Sequence, residues 1–579
     1  MKVLFATLNA QYIHSSLALA YLKSYCQGDF ADLHLMEYTI NDNPGDILYS
    51  VYRIRPDVLC FSCYIWNIED ILNLCRDFKA IVPQCTIVLG GPEASYAADE
   101  LLRRYPQINI VVRGEGEQTT KELLQALSEG QALRGIAGIS YREDQMVCHN
   151  EDRAPLTNLD IIPFPYEDLS AYQNRVVYYE TSRGCPFGCS YCLSAAEKGL
   201  RYFSLERVKH DLEILMHSDV REIKLVDRTF NSDEKRSRAI MSFIAENQPS
   251  CRFHFEICGD RLSDDMVDYL TTIPPGLFEF EIGVQSTHEP ALQAIHRRQD
   301  WKRLQSNMER LKTAANIHLH LDLIAGLPQE GYREFSNSFN QVYNLKPHML
   351  QLGFLKLLKG SPLWKEADRH GYVWQARAPY QVLANRYISY AELAHLQLVE
   401  NLLNRYYNRG RFVTTLDYMA GEVYAGKAFD FYSDLADFWE ERDLFSRGHR
   451  DREEYTILKD FVLNRHPDHG ATVNEYLKYD YLKNFTNHDL PPGLDCHNPP
   501  NRNEIQRRLL GDPAVAALLS TGDNGEEIPL KVGRKGLHLE YFLINPLNGS
   551  VAAKPLPLLF YYPDNRPPAR VMVANDIIY

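Results

Sequence analysis

The sequence predicts an α/β chain: a doubly wound parallel sheet at the N-terminus, an open partial (β/α)6 barrel after it, and a mainly helical C-terminal region with a β-rich tail. Three observations carry this. Residues 1–130 alternate short apolar strands with amphipathic helices, and glycines fall at the strand ends. The alternation restarts at 176 and yields six strand–helix repeats, too few for a closed eight-fold barrel. Beyond 375 the pattern turns helical and ends in strand-like runs.

In chain order, strands are predicted at 2–7, more weakly at 32–36, and at 58–62, 86–90 and 109–112. A helix is predicted over 67–81, where Asn67 can cap, Asp70 sits three residues on, and Ile68, Ile71, Cys75 and Phe78 recur at helical spacing. Such a sheet binds ligands at the carboxyl ends of its strands. Gly90 and Gly91 end one strand in GGPEAS, and Gly114 and Gly116 end another in RGEGEQT. Residues 131–150 read as a hairpin, and 151–175, rich in proline and acidic residues, as a linker over the surface. The predicted boundaries are therefore 1–150, a linker at 151–175, 176–374 and 375–579.

The second series predicts strands at 177–182, 222–227, 252–258, 278–284, 317–324 and 349–356. Ser204 opens a helix that places Val208, Leu212 and Leu215 on one face. Polar or glycine residues end the strands: DRTFN from Asp227, EICGD from Glu256, GVQS from Gly283 and DLIAGLPQE from Asp322. Residues 376–415 and 428–465 read as helical. From about 527 the chain reads as strand, with LHLEYFLIN and an Asn548-Gly549 turn. Arg405, Tyr406, Tyr407, Arg409, Arg411 and Phe412 mix cations with aromatics, which suits either nucleic-acid stacking or a solvated face with its aromatics in the core. Cys496 and His497 are two metal-ligating types without partners in sequence.

The 579 residues carry a formal net charge of −14, which excludes coating of nucleic acid by bulk charge and leaves only a local basic groove. Twelve cysteines are too dilute for a disulfide scaffold and fit a reducing, cytoplasmic setting. Cys60, Cys63, Cys75 and Cys258 read as small core residues. No apolar run approaches a membrane span, and MKVLFATLNAQ lacks a signal-peptide pattern.

The chemistry concentrates in TSRGCPFGCSYC, residues 181–192. Cys185, Cys189 and Cys192 stand at C-x3-C-x2-C spacing, and their thiolates are good iron ligands. Three protein ligands on a four-iron cluster leave one iron open. A zinc knuckle or three buried thiols is the alternative, although zinc usually needs a fourth nearby Cys or His.

With Tyr191 just before the last cysteine, this motif resembles the signature of the radical S-adenosylmethionine (SAM) enzymes. The resemblance implies a 4Fe–4S cluster on Cys185, Cys189 and Cys192 whose open iron binds SAM, so that one electron releases a 5′-deoxyadenosyl radical. It further implies contacts to SAM from Tyr191, Asp227, Arg228, Glu256, Gln285, Ile324, Gly326, Leu352 and Leu355. Asp227 and Arg228 stand where the family has Gly-Gly-Glu. The loop after the first strand, with Asn9 and His14, together with Ser62, Tyr64, Gly90, Gly91, Gly114 and Glu115, resembles the Rossmann- or flavodoxin-like cobalamin (B12)-binding domain found upstream of many such cores. His14 lies near the cobalt-ligand position of related domains but lacks the accompanying Asp and Gly. The C-terminal part resembles a domain of undefined role in one subgroup of these proteins.

The implied activity is cobalamin-dependent methylation of an unactivated carbon. The alternatives are a non-methylating rearrangement, cyclisation or sulfur-group transfer, or a cobalamin-responsive binding module. The implied partners are an electron donor such as flavodoxin or ferredoxin and an unknown substrate, a small molecule or an RNA, with no membrane.

Overall fold

The computed structural model describes the chain except for residues 145, 196–198, 487–488, 510–511, 514, 516–535, 563–565 and 575–579. Two units are distinguished: residues 1–338 with 351–393, and residues 339–350 with 394–579.

The first unit begins with β1 (Val3–Asn9), β2 (Leu33–Thr39), β3 (Val58–Ser62), β4 (Thr86–Gly90) and β5 (Ile110–Val112), paired in parallel in the order β2-β1-β3-β4-β5. β1, β3 and β5 are buried at every residue, as apolar runs covered by helices on both faces should be. One face packs on Ile71, Cys75 and Phe78, the other on Leu19, Leu123 and Leu124. The order reverses between β1 and β3, and the crevice for a ligand in such a sheet lies at that reversal. The hairpin of β6 (Ile139–Glu143) and β7 (Met146–His149) extends the sheet antiparallel to β5.

Two expectations are corrected in this region. The helix Ile68–Ile81 forms, but the Asn67 side chain makes no capping hydrogen bond to it. Its amide instead donates to Leu8 O at 3.0 Å and Ser62 O at 3.2 Å, and its oxygen accepts from Tyr64 N at 2.8 Å. Asn67 therefore ties the ends of β1 and β3 together, because a fully buried amide must satisfy all its groups within the fold. The segment 151–175 is not simply a surface linker, since Leu159, Ile162 and Tyr166 are buried. Arg207 donates to Ile162 O at 2.9 Å and Ser204 N to Asp160 at 2.9 Å, which fastens the segment to the next helix.

The barrel strands are β8 (Val176–Tyr179), β9 (Glu222–Leu225), β10 (Arg252–Ile257), β11 (Phe278–Gln285), β12 (His318–Ala325) and β13 (Met349–Phe354), adjacent in chain order. Pairing from β8 to β12 is parallel. Alternate residues such as Ile223, Phe253, Phe255, Phe280, Ile282 and Leu321 form the core on one face. The other face is polar, and the register sets Lys224 beside His254 and Glu256 beside Glu281. Ser204 caps the helix Leu205–Met216 by accepting from Arg207 N, and Val208, Leu212 and Leu215 are fully buried.

The second unit is mainly helical: the remainder of Tyr390–Tyr406, then Val413–Tyr418, Ala428–Glu441, Asp451–Arg465, Gly470–Asn484 and Arg502–Leu509. It ends in an antiparallel sheet of β14 (Leu537–Ile544), β15 (Val551–Tyr561) and β16 (Arg570–Val573). Gly549 takes φ +74 in the β14–β15 turn. The part of the predicted strand tail at 527–535 lies outside the described residues.

Residues 376–389, expected to be helical, contain the strand Val382–Ala384 paired with Val373–Trp374; Pro379 denies the segment a helical hydrogen bond. The helix expected over 428–465 is two helices, broken where Asp443 takes φ +51. Of the two readings of the cation–aromatic run, the one with its aromatics in the core holds. Tyr406 and Phe412 are fully buried, and Arg405, Arg409 and Arg411 converge on the buried Glu454 at 3.4, 3.5 and 3.1 Å.

Candidate active site

The three-cysteine loop leaves β8 and is closed by antiparallel pairing of Ser182–Arg183 with Arg201–Tyr202. Gly184 has φ +94, and a Cβ there would lie 2.0 Å from Gly199 O, so only glycine can precede Cys185. Asp227 fixes the loop's origin. Its carboxylate accepts from Thr181 N at 2.9 Å, Thr181 Oγ1 at 2.8 Å and the Ser182 hydroxyl. Asp227 was expected to face SAM. The structure commits it to this clamp, where burial raises its pKa against those hydrogen bonds.

One cavity gathers Cys185, Cys189, Cys192, Tyr191, Arg228, Glu256 and Gln285 from the expected set. It also takes in Thr229, Cys258, Glu281, Gly283, Arg297 and Asp322. Thr229 Oγ1 stands 3.6 Å from Cys185 Sγ, and Arg297 Nη1 reaches Cys189 Sγ at 3.9 Å while its other nitrogen donates to Gly283 O. Burial pushes the Cys189 thiol up, and the Arg297 charge opposes it. Cys258, read from sequence as core, faces the cavity instead.

Gln285 takes φ +69 beside a register shift in β11, and this bulge turns the strand end toward the cavity. Behind it, Ser286 and Ser338 hydroxyls donate to the buried Glu330. Arg297 gave no sequence signal because it follows a short helix rather than ending a strand.

The polar barrel face forms the cavity floor. Lys224 Nζ donates to Glu281 at 2.8 Å, and His254 Nε2 lies 2.9 Å from the same carboxylate. Burial disfavours the Glu281 charge, yet the His254 hydrogen bond and Lys224 overcome it and hold Glu281 well below the usual carboxylate range. Burial and then the Glu281 charge raise Glu256.

Ile324, Gly326, Leu352 and Leu355 are not among the cavity-lining residues. Leu352 and Leu355 are buried, Leu355 N donates to Ala325 O at 2.9 Å, and Gly326 O accepts from Tyr372 and Asn385. Gly326, Leu352 and Leu355 thus take part in the packing of the β12 and β13 ends.

The residues present suit a cluster. Three thiols share the cavity, yet no three His, Cys, Asp or Glu among the described residues are set to hold a single ion. Thiolates bound to separate corners of a multi-iron cluster need no such convergence.

The residues expected around cobalamin lie at the carboxyl edge of the first sheet. Several are already committed. Asn9 donates to His14 O and Glu37, both at 3.0 Å. His14 Nδ1 lies 2.6 Å from Tyr178 Oη, which ties the ring to the barrel through one of its two nitrogens. Glu115 pairs with Arg201 at 2.5 Å and accepts from Leu156 N at 2.9 Å.

Gly91 has φ +89, and its missing Cβ accommodates the Cys63 backbone, not a ligand. Gly114 has nothing within 4 Å of a built Cβ, and Gly90 meets only Val112 at 3.9 Å. Next to Ser62, Tyr64 stacks on the half-exposed Trp66 with centroids 4.4 Å apart and planes 4° apart. Bare glycines and a flat aromatic pair on one edge are compatible with a large planar cofactor.

A flavodoxin-like sheet and a six-stranded partial barrel with three thiols in its cavity define a protein of two cofactor domains in tandem. Family models agree: "B12 binding domain" matches residues 3–124, "Radical SAM superfamily" 179–342, and "Protein of unknown function (DUF4080)" 368–560. The chain thus joins a B12-binding domain to a radical SAM domain in one polypeptide.

It is 29% identical over 363 residues to the "Uncharacterized methyltransferase PH0819" of Pyrococcus horikoshii, a match covering 61% of this chain and 78% of that one. It is 27% identical over 332 residues to the "Cobalamin-dependent radical SAM methyltransferase TokK" of Streptomyces tokunonensis, covering 54% of this chain and 48% of that one. The match thus spans about half the length of TokK. The solved structure of the "Cobalamin-dependent S-adenosylmethionine radical enzyme OxsB" has the same fold, with a TM-score of 0.59 at 16% identity over 83% of this chain and 78% of that one. No described helix is long and apolar enough to cross a membrane.

Proposed function

We propose that the protein is a cobalamin-dependent radical SAM methyltransferase acting on an unactivated carbon. The single observation that carries this is the cavity in which Cys185, Cys189 and Cys192 meet Arg228, Glu256 and Gln285, within the unit that also contains the B12-binding domain. When bound, the cluster with SAM supplies a radical able to remove hydrogen, and cobalamin supplies a methyl group. Residues 176–374 would hold the cluster and SAM, and residues 1–150 the corrin.

In this reading the three thiolates hold three irons, and Arg297 and Arg228 neutralise the carboxylate of SAM. Glu256 and Gln285 bind its hydroxyls, and Tyr191 lies against its base. Ser62, Tyr64, Gly90 and Gly114 border the corrin. Residues 375–579 carry no assigned role. The remaining partners are a one-electron donor of the flavodoxin or ferredoxin kind, in a reducing cytoplasm, and a substrate that is a small molecule or an RNA.

The test is turnover with methyl-labelled SAM by protein purified and reconstituted without oxygen. Label in a product supports methyl transfer. SAM cleavage with an unlabelled, altered product would instead establish rearrangement, cyclisation or sulfur-group chemistry.

A further inference from the structure

We propose that Cys258 ligates the fourth iron of the cluster in the resting protein and yields that position to SAM. This rests on the cluster assignment above and concerns what holds the open corner before SAM arrives.

Cys258 follows β10 and lines the same cavity as Cys185, Cys189 and Cys192, so four thiols face one space. Its backbone is fixed at both ends by one side chain. Asn231 Nδ2 donates to Cys258 O at 2.9 Å, and Cys258 N donates to Asn231 Oδ1 at 2.8 Å. Asn231 is 4% exposed and belongs to the same DRTFN run as Thr229, which touches Cys185 Sγ. The run that meets the first cluster thiol therefore also places the fourth. Arg297, in contact with Cys189, also lies within electrostatic reach of Cys258 and opposes the burial that raises that thiol. Four cysteines are the usual complement of a 4Fe–4S cluster. The C-x3-C-x2-C motif supplies three, and the fold supplies the other from a different strand end.

The exchange balances without a redox step. Ligation by Cys258 forms one Fe–S bond and releases the thiol proton. When SAM enters, that bond breaks as bonds from its amino nitrogen and carboxylate oxygen form. The α-ammonium of SAM must lose a proton to become a ligand, and the departing thiolate takes one up. Cys258 would thus shield the open iron from solvent and couple its release to SAM binding.

The experiment compares iron-57-loaded wild type with Cys258→Ala by Mössbauer and EPR spectroscopy, each with and without SAM. Wild type without SAM is expected to show four irons in sulfur environments, with one changing when SAM is added. Cys258→Ala is expected to show one distinct iron before SAM, to converge on the wild-type spectrum afterwards, and to bind SAM roughly tenfold more tightly because a competing ligand is gone.

A distinct iron in SAM-free wild type overturns the proposal, as do identical SAM-free spectra for wild type and variant. The wild-type measurement decides the matter even if the variant assembles poorly. Absence of any cluster in wild type would instead overturn the cofactor assignment itself.

Discussion

Arg183 donates to Glu117 Oε1 at 2.5 Å, joining the segment that runs into the three-cysteine loop to the helix that follows β5. The same guanidinium reaches Glu180 at 2.8 Å and Glu115 at 3.7 Å, and Arg201 closes on Glu115 at 2.5 Å. The position of the cluster loop is thereby set by carboxylates of the B12-binding domain.

Replacing Arg183 by Met leaves Glu117 and Glu180 buried without their cation. Breaking such a pair costs about 3–5 kcal/mol. The urea midpoint of the variant should fall accordingly, and its iron content after reconstitution should drop. An unchanged midpoint would show that the pairing does not hold the loop.

Glu330 makes a pH-dependent contribution of definite sign. Burial raises its carboxyl from 4.5 to about 7 against the Ser286 and Ser338 hydrogen bonds, so the folded protein holds a proton that the unfolded chain releases. Stability from this group is full below pH 4.5 and is lost as pH rises to about 7. Glu330→Gln should abolish that slope and should gain on wild type between pH 5 and pH 8 in urea titrations. Parallel pH profiles would contradict the assignment.

Two glycines at one sheet edge should separate fold from ligand. A Cβ at Gly91 would meet Cys63 O at 2.6 Å and Cys63 N at 2.9 Å, and its φ is +89. Gly91→Ala should therefore cost roughly 2 kcal/mol or more, whether or not corrin is present. At Gly114 a Cβ meets nothing within 4 Å, so Gly114→Ala should cost less, mainly through its φ of +73. Its larger effect should be on the corrin absorbance retained after gel filtration. Equal corrin retention by wild type and Gly114→Ala would remove this residue from the cofactor's border.

In the second unit, Glu454 is fully buried among three arginines. Glu454→Gln should lower stability by about 3 kcal/mol in thermal melts. Arg409, whose side chain is 48% exposed, should cost under ~1 kcal/mol as Arg409→Ala. If the triple neutralisation of Arg405, Arg409 and Arg411 abolished salt-sensitive RNA binding in a folded protein, the nucleic-acid reading of this segment would return.

The strands and the cluster thiols were legible because their signals are local. Residues 58–61 and 87–89 are uninterrupted apolar runs, and the three cysteines lie within a single turn-rich loop. What was not legible depends on long-range packing. Asn67 has the composition of a cap but is drawn into the β1–β3 junction by carbonyls distant in sequence. Asp227 sits where a SAM ligand was expected, yet Thr181 and Ser182, more than forty residues earlier, claim its carboxylate. Cys258 and Arg297 carry no motif, and only the arrangement of the strand ends brings them beside Cys185 and Cys189. Tyr406 and Phe412 read equally as stacking surface or core until the helices around them are placed.

The central claim, that one chain holds a cluster and a corrin for SAM-dependent radical chemistry, is tested most directly by a single anaerobic preparation. Iron, corrin absorbance and SAM cleavage would be measured on wild type beside a variant with alanine at Cys185, Cys189 and Cys192. The account predicts about four irons and one corrin per wild-type chain, with 5′-deoxyadenosine formed from SAM under reduction. The variant should keep the corrin but lose the iron and the cleavage. SAM cleavage that survives in the triple variant, or wild type that takes up neither iron nor corrin, would contradict it.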